Sequence, residues 1–293
     1  MVSLRKGTAL DAAGAYAICR SGDAITIAIA GPVKSGKTTL ISSIHQGFLF
    51  SPVRELKFKR SHTMVGFEEK CFNSRVESGA DTPSTPRTSY SAGVEYYHLR
   101  VKDSKTSSSP HLVLLDMSGE YFDRAINSRQ DALHLQCLRA VDFVSFLLDG
   151  AKLADATTMQ KVYSDATLLL RRLLEEKIIS RDSRVQMLVT KVDMLCKEPK
   201  TSEVEKVVGE VARRFERFGD QLHLEFHAVA ASPAVGRPFP QRFGIPDLLR
   251  IWTENEKKAA TRPGPLLIRS SRLIDRLPAV WLRDKYALVG GEK

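Results

Sequence analysis

Residues 31–38, Gly-Pro-Val-Lys-Ser-Gly-Lys-Thr, set two glycines, a lysine and a threonine at a spacing suited to gripping phosphate. Gly31 and Gly36 permit backbone angles that turn successive N–H groups, those of Val33, Lys34 and Ser35 among them, inward onto anionic oxygens. Lys37 supplies a positive charge for the outer phosphates, and the Thr38 hydroxyl, followed by Thr39, is suited to a magnesium ion. Such a loop needs a strand before it and a helix after it. Residues 24–30 (AITIAIA) read as a short β-branched strand, and TTLISSIHQ from residue 38 reads as a helix whose positive dipole end points at the same anion.

Two further clusters extend the chemistry. In HLVLLDMSGE, residues 111–120, an apolar strand ends at Asp116, followed by Gly119 and Glu120. A carboxylate at a strand end beside a phosphate loop holds magnesium through water, and Gly119 offers a backbone N–H to the γ-phosphate. Alone, an Asp and a Gly after a strand make only a turn, so the weight here comes from the upstream loop. In VTKVD, residues 189–193, Thr190, Lys191 and Asp193 again close an apolar strand. Guanine presents two adjacent donors that one carboxylate accepts together, whereas adenine lacks the pair; Asp193 therefore selects guanine, and the Lys191 stem covers the purine face. The implied cofactors are GTP or GDP with Mg²⁺.

These residues need elements to hold them. Further strands are expected at residues 95–101, 112–115, 143–148, 185–190 and 222–230, with clear helices at 153–176, 202–218 and 245–257. Their alternation predicts a mostly parallel sheet with helices on both faces. SKTSSSP, residues 104–110, is expected to turn between two antiparallel strands. Residues 48–93 form a long irregular insert with Arg54, Lys57, Lys59 and Arg60 and the run DTPSTPRTS, a length that argues for function. The organisation expected is an N-terminal extension at 1–22, a nucleotide-binding domain at 23–260 and a basic tail at 261–293.

Bulk properties are compatible with this. With 293 residues, 43% hydrophobic and 27% charged, the chain supports a sizeable globular core and excludes wholesale disorder. A net charge of +10 favours anionic partners without choosing among them. Cys19, Cys71, Cys137 and Cys196 have neither metal-ligand nor disulfide-framework spacing and read as structural. Asp11 breaks the weakly apolar N-terminal stretch that a signal peptide would need, and no run reaches membrane-spanning length, so a cytoplasmic protein is expected. His223 and His227 lack the extra ligands of a metal site, and Trp252 and Trp281 read as packing anchors.

Taken in order, these motifs resemble the translation-factor-related GTPase class with its Ras-like members, over about residues 24–257. HTMVGFEEKCF, then SGADTPSTPRTS, then LLDMSGE look more narrowly like the bacterial double-GTPase families, which belong to multi-gene systems linked to conflict or defence. The resemblance implies a three-layer Ras-like P-loop fold with an inserted switch region. It implies Thr88, or second Thr85, as the switch threonine on nucleotide and metal, with Arg87 beside it as a cis arginine finger. It places Ala230, Ala231 and Ser232 in the base-binding loop in degenerate form, and Glu120 where relatives carry the glutamine that orients water. Slow or partner-stimulated GTP hydrolysis follows, with a partner protein reading the switch regions. Alternatives are a non-hydrolysing GTP-dependent scaffold or an ATP-using P-loop protein. The tail, with Arg269, Arg272, Arg276 and Arg283, is compatible with nucleic acid or membrane but reads as a solvated or partner-docking segment.

Overall fold

β1 (Ala24–Ala30) alternates isoleucine with alanine or threonine and is buried along its whole length, as a central strand covered on both faces must be. The computed structural model describes residues 7–20, 23–50, 52–72 and 93–254. After α1 (Ala12–Cys19) and β1 the chain forms α2 (Lys37–Phe50), β2 (Leu56–Arg60), α3 (Met64–Phe72), β3 (Val94–Asp103) and β4 (His111–Met117). It continues through α4 (Gly119–Ala125), α5 (Arg129–Ala132), β5 (Phe143–Asp149), α6 (Gly150–Leu153), α7 (Ala156–Glu175) and β6 (Arg184–Thr190). It then forms α8 (Thr201–Phe215), β7 (His223–Ala228) and α9 (Ile245–Thr253).

The seven strands form one sheet in the order β2-β3-β4-β1-β5-β6-β7. β4, β1, β5, β6 and β7 run parallel, while β2 and β3 are antiparallel additions at one side. The small side chains Ala24, Ala28 and Ala30 pack in a core with α1, α4, α7 and α8, where Ile18, Phe122, Leu169, Leu170 and Phe215 are buried. Ile25, Ile27 and Ile29 pack in the other core with Leu40, Ile41 and Ile44 of α2, Phe67 of α3 and Leu248, Leu249 and Trp252 of α9. This is the expected three-layer α/β architecture. The four cysteines are buried and none is in a disulfide.

Register brings the functional strand ends together. Ile29 pairs with Asp116, Ala30 with Phe146, Asp149 with Thr190 and Val189 with Ala228. The carboxyl ends of β1, β4, β5, β6 and β7 therefore share one rim. β1 feeds β2–β4 on one side and β5–β7 on the other, so a crevice opens at its end, where open α/β sheets bind ligands.

Several expected boundaries need correction. The helix read as 153–176 begins at Ala156, because Asp155 caps it by accepting the Thr157 N–H at 2.9 Å; residues 150–153 are a separate turn capped by Asp149. The helix read as 202–218 tightens into a 3₁₀ turn at Glu216–Phe218, the strand read as 222–230 spans His223–Ala228, and α9 ends at Thr253. The stretch read as irregular holds β2 and α3, and the N-terminal stretch forms α1, begun by an Asp11 cap on the Gly14 N–H. The turn at 104–110 does join antiparallel β3 and β4. The connector 61–63 is stitched to β3: Ser61 Oγ donates to the His98 carbonyl at 2.6 Å, and the His62 N–H donates to His98 Nδ1 at 3.1 Å. That bond leaves the His98 proton on Nε2, facing His111 Nδ1 at 2.8 Å, and burial first, with the His111 neighbour, pushes the His98 imidazole down to about 3.

A buried polar chain ties α9 to the sheet. Gln186 Oε1 accepts from Trp252 Nε1 at 2.8 Å and from Ser145 Oγ at 3.0 Å, and its Nε2 donates to Glu225 at 2.9 Å. Glu225 also takes Arg184 at 2.8 Å and lies 3.6 Å from His223 and 3.7 Å from His227, so both histidines face a carboxylate already committed to an arginine. Gln186→Leu keeps the volume but orphans the Trp252 and Ser145 donors, and is expected to cost about 1–3 kcal/mol. Urea unfolding of the two proteins checks this; an unchanged midpoint would show that the network contributes nothing.

Candidate functional site

The phosphate-type loop leaves β1 with Gly31 at φ +148, and a Cβ there would meet Ser35 Oγ at 2.9 Å and the Leu147 carbonyl at 3.1 Å. Lys34 at φ +67 and Gly36 at φ +95 complete a turn with three left-handed residues. Lys37, the first residue of α2, is 7% exposed and folds back under the loop. Its Nζ donates to the carbonyls of Gly31 at 2.8 Å and Pro32 at 2.9 Å. Burial pulls its pKa down to about 8, against the opposing pull of Asp116 and Asp123. Thr38 and Thr39 follow in the first turn of α2, half-buried.

The VTKVD segment braces this loop. Thr190 Oγ1 donates to the Ser35 carbonyl at 2.8 Å and the Leu148 carbonyl at 3.1 Å. Lys191, itself at φ +51, donates through Nζ to the Lys34 carbonyl at 3.1 Å and to Asp149 at 2.8 Å. Two residues on, Asp193 is 2% exposed, and its Oδ2 accepts the Ala234 N–H at 2.9 Å. The loop after β7 lies alongside: Val192 N–H reaches the Val229 carbonyl, Ala230 N–H the Phe243 carbonyl, and Ser43 Oγ the Ala231 carbonyl at 3.2 Å, while Ser232 is exposed. The structure thus joins the Lys37 loop and the Asp193 segment through the Lys191 side chain.

Asp116, second to last in β4, is fully buried and carries a partner that sequence reasoning missed. Lys70 of α3 places its Nζ 2.8 Å from Asp116 Oδ2 and 3.2 Å from Glu95, over the Tyr97 ring at 4.9 Å. Burial alone would lower the Lys70 pKa; Asp116, then Glu95, outweigh it and hold it above the ordinary lysine value. No local signal exposes this role, because Lys70 lies 46 positions from Asp116, and the segment HTMVGFEEKCF that contains it does not announce a partner.

Gly119 opens α4 against the phosphate-type loop. A Cβ there would lie 2.4 Å from the Val33 nitrogen and 2.6 Å from its Cα, so only glycine allows this approach. One turn on, Asp123 accepts the Val33 N–H at 3.4 Å; like Asp149, it is a carboxylate that the sequence reading did not single out. Glu120 is half-buried in the same first turn, its N–H capped by Ser118 Oγ at 3.4 Å. Thr85, Arg87, Thr88 and the tail from residue 261, with Trp281, lie outside the described residues.

The donor sets fit an anion and a cation in turn. Among the described residues the buried Lys37 ammonium bonds only neutral carbonyls, which leaves a positive centre within the loop, while the buried Asp116 already holds the Lys70 ammonium as a stand-in cation. The sequence pattern of the Double-GTPase 2 family matches residues 25–253. The chain belongs to the Double-GTPase 2 family. It is therefore a P-loop guanine-nucleotide-binding protein, as its motifs lead one to expect. No protein of curated function matches it. Among solved structures, the Chaetomium thermophilum signal recognition particle receptor SRb-GTP/SRX complex is 18% identical, with TM-score 0.43, 80% of this chain covered and 97% of that one. The GDP-bound RocCORdC segment of Methanosarcina barkeri Roco2 is 11% identical, with TM-score 0.37, 80% of this chain covered and 50% of that one.

In this Double-GTPase 2 protein Gly119→Ala must push α4 off Val33, and overpacking of this kind costs about 1–3 kcal/mol. A melting temperature lowered by several degrees is expected; an unaltered one would mean that the α4 contact is dispensable.

Proposed function

We propose that the chain binds Mg²⁺·GTP at the β1–β4–β6 rim, hydrolyses it slowly, and acts as a switch for a partner protein, in keeping with the multi-gene conflict or defence systems to which double-GTPase families are linked. The observation that carries this reading is the side chain of Lys191, two residues before Asp193, which bonds both the phosphate-type loop at Lys34 and Asp149. It supports a phosphate grip and a purine-selecting carboxylate acting at one rim.

On this reading, the N–H groups of Val33–Lys37 and the Lys37 ammonium receive the phosphates. Thr38, Asp116 and Thr88 hold magnesium, which when bound neutralises charge between the outer phosphates. Thr190 keeps the loop shaped, Lys191 covers the base, and Asp193 with the Ala230–Ala231–Ser232 segment reads its edge. Gly119 meets the γ-phosphate, Arg87 stands ready as a finger in cis, and Glu120 faces the attacking water. Two acids then sit beside the phosphate grip, Asp123 on the Val33 N–H and Glu120 next to Gly119, and both oppose a polyanion. Slow turnover is the consequence. Residues 23–260 form the switch unit in this reading, and residues 261–293 a basic docking tail.

Equilibrium binding of labelled GTP, GDP and ATP, with and without magnesium, tests the ligand. Asp193→Asn is expected to weaken GTP about 100-fold, about 2.8 kcal/mol, while leaving ATP unmoved. Equal affinity of the native protein for ATP and GTP would end the guanine reading. For the chemistry, single-turnover hydrolysis by Glu120→Gln is expected to run at or above the native rate and by Glu120→Ala far below it. An Ala variant as fast as the native protein would remove Glu120 from the reaction.

A further inference from the structure

The insert contributes a buried ammonium to the rim. Lys70 is 7% exposed, and its Nζ sits 2.8 Å from one oxygen of a carboxylate that is fully buried. A lysine in such surroundings is retained only by its partners, here Asp116, the partly exposed Glu95 at 3.2 Å and the Tyr97 face. α3 is docked on α2 by the His45–Phe67 ring stack at 4.6 Å and by the Cys71 thiol, which donates to the Ser42 carbonyl at 3.8 Å. The helix carrying Lys70 thus leans on the helix that starts at the phosphate-type loop.

Asp116 is also the carboxylate at which the proposed site takes its metal. A divalent cation served by the same buried group lies within a few ångströms of the ammonium, and like charges so placed in a poorly screened interior repel strongly. We propose that Lys70 is a built-in counter-cation of Asp116 that magnesium displaces, so that arrival of Mg²⁺·GTP undocks α3 and passes the nucleotide state to the insert. Glu95 remains as a partly exposed acceptor for the released ammonium, so displacement does not strand a buried charge. This inference rests on the GTP reading above.

Cys71 reports the movement. It is fully buried beside Lys70, whereas Cys19 and Cys137 lie in the opposite core and serve as internal controls. In the full chain, retention of a labelled non-hydrolysable GTP analogue is measured first; then Cys71 modification by a thiol reagent is timed by peptide mapping. Magnesium with the analogue is expected to speed Cys71 labelling about tenfold, and the analogue with a chelator to leave it slow. Lys70→Met is expected to label fast under both conditions, and Lys70→Arg to follow the native pattern. Should Lys70→Met expose Cys19 and Cys137 as well, it has lost its fold, and the native protein with and without magnesium decides. Retained nucleotide with magnesium-independent Cys71 labelling overturns the latch and leaves the GTP reading standing. Failure to retain the analogue at all overturns both.

Discussion

The turn at residues 31–37 is braced from outside by two hydrogen bonds, one from Thr190 at the end of β6 and one from Lys191 just after it. Three of its residues have positive φ, one of them Lys34, for which such a conformation costs of order 1–3 kcal/mol. Thr190 takes the Ser35 carbonyl and Lys191 takes that of Lys34, the two carbonyls that a turn of this hand directs away from its interior N–H groups. Both donors arrive only because Asp149 and Thr190 are in register across β5 and β6 and Ala30 and Phe146 across β1 and β5. A slip of one residue would reverse every side chain and separate the loop from its brace. The geometry of the site is in this sense a property of strand pairing, and the two apolar cores exist to hold that pairing.

Lys37 and Lys70 show how neighbours decide the fate of a buried charge. Both are 7% exposed, yet the first has its pKa pulled down to about 8 and the second has its pKa raised. Lys37 is bonded by two neutral carbonyls, which accept its protons without offsetting its charge; Lys70 is bonded by two carboxylates, which do both. The loop therefore carries an unbalanced positive centre, and the strand end beside it a negative one already balanced. An arriving polyanion relieves the first.

What was legible in the sequence follows from locality. The 31–38 loop, the strand at 24–30 and the VTKVD segment depend on residue types within a few positions, and each stands where the pattern put it. The helix expected from residue 153 began late because a cap, Asp155, outweighed the apolar periodicity around it. β2 and α3 escaped notice for a different reason: Leu56–Arg60 is a half-exposed side strand rich in lysine, and Met64–Phe72 is short, with Gly66 inside it. Their order comes from tertiary contacts, above all the bonds of Ser61, His62 and Thr63 to His98 of β3. The Lys70 pairing, reached across 46 residues, has no local signature at all.

The same distinction explains α4. Asp-x-x-Gly announces a turn after β4, but not that Gly119 would press on Val33 or that Asp123, one turn later, would reach the Val33 N–H. The helix brings two opposed fields to one spot: its N-terminal amides favour an anion, while Asp123 and Glu120 oppose one. The amide that Asp123 accepts belongs to the loop itself, so an oxygen anion that takes this N–H must first dispossess the carboxylate. Because Gly119 has no side chain to absorb a displacement, that exchange is felt directly by the backbone at the start of α4. Occupancy of the loop and the position of α4 are thus bound together by one N–H and one missing Cβ.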